Sequence, residues 1–203
     1  MLVLAFDTSI SGFSLALFHN SKVIAKTTVT EVGKQSELLV LEIEKILRSQ
    51  NIWYQNLDLI TTSKGPGSFT GTRIGITCAK AIRLACDIPL ILVSSLEVAA
   101  FTHKNYEGKI FVALDAGLGE LFIAEFLNQN HQLSQTSKAS TIKAEELEKY
   151  LPKDKFLLCK ADEKDINAEA LGALALDKFH SGKIEQKQDT LYLREPQISQ
   201  RKK

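Results

Sequence analysis

The chain has 203 residues, 44% of them hydrophobic, enough to bury a substantial core as one large domain or two small ones. Lys and Arg number 25 against 24 Asp and Glu, so no overall field makes nucleic-acid binding the default, and any RNA contact must be local or belong to a partner. Cys78, Cys86 and Cys159 are widely spaced and form no Cys-x-x-Cys pair, which excludes a disulfide framework and a zinc ribbon and predicts buried thiols in a reducing cytoplasm.

Residues 1–7 form an apolar run too short for a signal peptide, without a basic start, and no stretch reaches membrane-spanning length. Residues 2–6 predict a buried strand that ends in Asp7-Thr8-Ser9, and residues 13–18 and 23–29, joined by a turn at Asn20-Ser21, extend it into a meander. Residues 36–51 predict a helix carrying Leu38, Leu39, Val40, Leu41, Ile43, Ile46 and Leu47. That coverage is wider than the stripe needed to face one sheet, so a second face is left to bury. Buried strands follow at 59–63 and 89–93, giving the order β-β-β-α-β-α-β.

The second helix of that order begins in Gly65-Pro66-Gly67-Ser68-Phe69-Thr70-Gly71-Thr72-Arg73-Ile74-Gly75-Ile76. Pro66 and Gly67 shape a turn, and Ser68 or Thr70 is placed to cap a helix starting at about residue 69. Gly71, Gly75 and Ala79 then recur on one face. Each interior glycine costs roughly 1 kcal/mol relative to alanine, so something must pack closely there to offset the loss. Three readings compete: a phosphate cradle, a tightly packed core helix, or a helix shared between the protein's own core and a partner. The phosphate reading lacks the Gly-Lys-Ser/Thr ending of a P-loop, since Gly71 is followed by Thr72-Arg73.

Beyond residue 104 the opening pattern returns. A shift of 108 positions places Asp7 on Asp115, Ala16 on Ala124, Phe18 on Phe126 and Asn20 on Asn128. Two related lobes are expected, 1–103 and 104–203, the second reduced.

The opening residues 1–9, the glycine-rich segment, Leu114-Asp115-Ala116 with Gly119-Glu120-Leu121-Phe122, and Leu191-Tyr192-Leu193-Arg194 together resemble the bacterial TsaB (YeaZ) family. The resemblance covers almost the whole chain and implies an α/β fold of the duplicated actin-like, or ASKHA, ribonuclease H-like type. It also implies a cytoplasmic, non-catalytic subunit without cofactor. Such a subunit acts in threonylcarbamoyl modification of the adenosine beside the anticodon of tRNAs reading codons that begin with A. Its partners are TsaD, which transfers the group, and TsaE, an ATPase; a second copy can replace TsaD, and tRNA is met only indirectly or weakly. The partner face implied by the two helices comprises Leu38, Leu41, Lys45, Gly71, Arg73, Ile74, Gly75, Cys78, Ala79 and Ile82.

Active relatives of that fold place acidic residues and phosphate-binding hairpins around a cleft. Asp7, Thr8, Ser9 and Asp115 mark where a vestigial nucleotide site would lie, although an Asp ending a strand also serves to cap the following turn. An ATP-dependent phosphotransferase using Asp7 and Asp115 is therefore the alternative function. A metallopeptidase is a weaker one, because His19, His103, His131 and His180 form no pair at ligand spacing and Gln35 stands where many family members have histidine. No metal is expected. Ser68 reads as a cap rather than a nucleophile, Arg73 equally as an ion-pair or phosphate contact or as a solvated arginine, and the basic end, Arg194 with Arg201, Lys202 and Lys203, as a solvated terminus.

Overall fold

The structure is a computed structural model that describes residues 1–162 and 164–182 together with Leu191 and Leu193. Tyr192, Arg194 and the basic end at 201–203 lie outside the described residues.

The first sheet runs β1 (Leu2–Asp7), β2 (Phe13–His19), β3 (Lys22–Val29), β4 (Leu59–Ser63) and β5 (Leu90–Val93), in spatial order β3-β2-β1-β4-β5. The first three strands form an antiparallel meander, while β1, β4 and β5 are parallel. Helix α1 (Gln35–Ser49) and α2 (Phe69–Cys86) supply the crossovers. They cover one face, where Leu4, Phe6, Leu15, Leu17 and Ile60 meet Leu39, Ile43, Ile76 and Ala79. The opposite face carries Val3, Ala5, Ala16, Phe18, Leu59 and Ile91. Burial on both faces is why residues 2–6 read as a continuous apolar run rather than an alternating one.

The second sheet contains β6 (Gly108–Gly117), β7 (Glu120–Gln129), β8 (Gln132–Gln135), β9 (Ser140–Lys143) and β10 (Phe156–Ala161), with β6 central between β7 and the parallel β10. β8 and β9 pair with successive parts of β7. The pattern repeats the first sheet, β6 standing for β1, β7 for β2, β8 for β3 and β10 for β4. Among the described residues no strand corresponds to β5, while β9 is an addition on β7, so each sheet has five strands. Its hairpin is tighter than a uniform shift of 108 implies: Asp7 pairs with Ser14, but Asp115 pairs with Leu121. A two-residue turn, Leu118 (φ 58°) and Gly119 (φ 76°), closes it, the primed geometry that suits twisted hairpins.

Two helices cross between the sheets. Helix α3 (Ser95–Thr102), which the sequence pattern had not indicated, follows β5 yet packs on β6, β7 and β10. Helix α5 (Ala168–His180), which follows β10 and the short α4 (Leu147–Tyr150), returns to β1, β2, β4 and β5. Gly172 lets α5 come down on the first sheet, because a Cβ there would collide with the Phe18 ring. The two helices also touch each other through an ion pair, Lys178 Nζ to Glu97 Oε1 at 2.6 Å, both side chains largely shielded. No helix among the described residues is long and apolar enough to cross a membrane.

Candidate functional site

Ser68 caps α2 as the sequence predicts, its Oγ accepting from Gly71 N at 3.1 Å. The helix ends at Asp87, which turns left-handed at φ 53°. The expected small-residue stripe points inward. Cβ atoms on Gly67 and Gly71 would collide with the carbonyl oxygens of Ser9 and Thr8, and one on Gly75 with Thr8 Oγ1. Gly71, Gly75 and Ala79 are buried against the end of β1 and against β4. Their placement corrects the partner-facing stripe: the chain's own strand occupies it. α2 has two weakly polar faces, and periodicity alone does not say which one turns home.

The turn beneath α2 is polar and closed. Asp7 is buried, and its Oδ1 accepts from Ser9 N at 3.0 Å while Ser9 Oγ stands 3.0 Å from its Oδ2. Ser9 Oγ lies 3.1 Å from Ser95 Oγ, which is 2.7 Å from Ser63 Oγ. Ser63 in turn accepts from Gly65 N at 3.0 Å. The hydroxyl chain therefore links β1, β4 and the start of α3. Burial pushes the Asp7 carboxyl up to about 6, opposed by hydrogen bonds from Ser9, Ile10 and Ser63 that favour the ionised form. Asp115 makes the same local turn, accepting from Gly117 N at 2.7 Å, but is exposed. Among the described residues it takes no part in the Asp7 network.

The outer face of α2 is where the remaining interface candidates gather. Arg73, Ile74, Cys78 and Ile82 join Val40 of α1 and Tyr54 in lining an apolar groove of ≈ 710 Å³ between the two helices. Arg73 stacks on the Phe69 ring at 3.8 Å. Burial raises the Cys78 thiol to about 11, so it acts as a small apolar group there. Cys78 and Cys86 are half-buried rather than buried. Leu38 packs at the edge of the core, Leu41 is exposed, and Lys45 is exposed and paired with Glu42 at 2.5 Å. Val40, 56% exposed, and Leu41, 51% exposed, are the excess apolar residues that the over-wide α1 pattern had signalled.

A further group of side chains converges with no sequence spacing to announce it. His103, Cys159 and Asp165 place potential ligand atoms all within 4.8 Å of one another. The fold joins residues 56 and 6 positions apart, a combination no local motif encodes.

Comparison with known proteins agrees with this architecture. The family described as "TsaD: tRNA N6-adenosine threonylcarbamoyltransferase" matches residues 31–182. The chain is 34% identical over 135 residues to the tRNA threonylcarbamoyladenosine biosynthesis protein TsaB of Bacillus subtilis, covering 66% of this chain and 59% of that protein. It is 33% identical over 155 residues to TsaB of Buchnera aphidicola from Schizaphis graminum, covering 75% of this chain and 73% of that one. The match thus spans less than two thirds of the Bacillus protein's length. Among solved structures, YeaZ from Pseudomonas aeruginosa superposes with a TM-score of 0.78 at 20% identity, over 95% of this chain and 99% of that one, a likeness of fold.

Proposed function

Because this chain belongs to the TsaB (YeaZ) family, we propose that it serves threonylcarbamoyladenosine biosynthesis on tRNA as a non-catalytic subunit that docks TsaD through α1 and α2. The observation that carries this reading is the apolar groove between those helices, lined by the exposed Val40, with Leu41 also exposed on α1. Such a surface is costly in water unless covered. A partner built on the same fold presents matching helices, so two related chains can pair about a pseudo-twofold axis with like helices facing. A second copy of this chain would occupy the same face when TsaD is absent.

Asp7 supports the non-catalytic assignment. Its oxygens are engaged by Ser9 within its own turn, so coordinating a metal-nucleotide would require that turn to open. TsaE and tRNA are proposed to meet the complex rather than this chain alone, in keeping with the balanced charge of 25 basic and 24 acidic residues.

The test is co-purification with TsaD and reconstituted tRNA modification, using Ile82→Glu and Leu41→Glu. Both variants should remain folded by circular dichroism, lose TsaD in a pull-down and lose modification. Wild-type binding by both would refute the docking face. ATP-dependent phosphotransfer by the isolated chain, or a nucleotide-dependent rise in melting temperature with magnesium, would favour the phosphotransferase alternative.

A further inference from the structure

His103, Cys159 and Asp165 belong to three different pieces of the fold. His103 closes the C-terminus of α3, Cys159 lies in β10 on the sheet face that α3 covers, and Asp165 sits in the turn between β10 and α5. Their ligand atoms nevertheless all lie within 4.8 Å of one another. We propose that these three side chains form a zinc-class metal site, open to water as a fourth ligand, that pins the junction where the chain passes between its two sheets. The site lies apart from the α1–α2 groove and does not depend on the proposed docking.

The donor set argues for the class of metal. Imidazole nitrogen, thiolate sulfur and carboxylate oxygen together suit zinc, whereas magnesium and calcium require oxygen ligands. Geometry argues for a bridged arrangement. A direct His–Asp hydrogen bond would stand at about 2.8 Å, but His103 Nε2 and Asp165 Oδ1 are 3.8 Å apart. Tetrahedral zinc, with bonds of about 2.0–2.3 Å, holds its ligand atoms about 3.3–3.6 Å from one another, so closure needs movements of about 1 Å or less.

The surroundings orient the carboxylate and leave a route in. Asp165 Oδ2 accepts from Asp162 N at 3.2 Å and its Oδ1 from Thr102 Oγ1 at 3.4 Å, outer contacts of the kind that aim a ligand. Cys159 is 3% exposed, while the His103 and Asp165 side chains are 35% and 22% exposed. The sulfur is therefore held inside and the site is reached from the solvent side.

The experiment uses the full chain, stripped of metal by chelator dialysis and titrated with cobalt as a spectroscopic stand-in, then with zinc. One equivalent of cobalt should give the visible bands of tetrahedral coordination and a sulfur-to-metal charge-transfer band, and zinc should displace both. Cys159→Ser should abolish the charge-transfer band, and His103→Ala should weaken binding at least about 10–100-fold, the loss that even outer contacts cause. The double variant Cys78→Ser/Cys86→Ser should keep the site. Absence of the charge-transfer band in the wild type, its survival in Cys159→Ser, or its loss in the double variant would overturn the proposal. Should Cys159→Ser fail to fold, the part-exposed His103→Ala decides: unchanged affinity overturns the site.

Discussion

Thr8 and Gly71 hold each other where β1 ends and α2 begins. Thr8 Oγ1 donates to the Gly71 carbonyl at 2.8 Å, and the Thr8 carbonyl occupies the space that a side chain at residue 71 would need. Strand end and helix start are thereby fixed as one unit, and the outer face of α2 is presented at a set angle to α1.

Gly71→Ala should destabilise the protein although alanine is the better helix former. The added methyl meets backbone rather than a flexible side chain, so overpacking of about 1–3 kcal/mol outweighs the roughly 1 kcal/mol of helix propensity. Thermal melting should fall by several degrees, at about 2–4 °C per kcal/mol for a chain of this size. Gly75→Leu should be worse and fail to accumulate as folded protein. A melting temperature for Gly71→Ala equal to or above wild type would show that the turn yields freely.

Asp7 should make stability fall as pH rises. The folded chain keeps this proton up to a pH of about 6, while the unfolded chain releases it near 3.8. Between those values the native state binds more protons, and the difference corresponds to about 3 kcal/mol lost by pH 7. Asp7→Asn keeps an acceptor for Ser9 N and removes the titration. The melting temperature of Asp7→Asn minus that of wild type should therefore increase from pH 4 to pH 6 and level off above, with tRNA modification retained. A flat difference would mean that the carboxyl is not held protonated.

Lys178 and Glu97 should couple α5 to α3. Both side chains are below 20% exposed, at 16% and 18%, so either charge left alone is poorly solvated. Lys178→Met and Glu97→Gln should each destabilise, and the double variant should recover about 0.5–3 kcal/mol of their sum. Denaturant unfolding of the four proteins checks this; strict additivity would place the pair in the class of idle surface bridges.

Ser68→Ala should remove about 1 kcal/mol, the usual value of a helix cap, with Ser68→Asp largely restoring it. Chemical denaturation measures both.

Where local chemistry decides structure, the chain announces its fold. The Ser68 cap, the Asp7 and Asp115 turns and the apolar runs of β1 and β4 follow from side chains acting within a few residues. Helix α3 escapes because Ser95–Thr102 is short and apolar nearly all round, which leaves no periodic contrast. The inward turn of Gly71 and Gly75 escapes for a related reason: Ile76 and Ala79 on one side and Ile74, Cys78 and Ile82 on the other give α2 two plausible inner faces. The His103, Cys159 and Asp165 cluster is created only when β10 comes to lie beside the end of α3.

The crossing of α3 and α5 also sets an order of events during synthesis. Val3, Ala5, Ala16, Phe18 and Ile91 depend on Leu171, Leu174 and Ala175 for cover, yet β5 is complete at Val93 and α5 only at His180. At about 5–20 residues per second, a ribosome leaves that sheet face bare for about 4–17 s. Over that interval the face is open to non-native association, and only the arrival of α5 closes it.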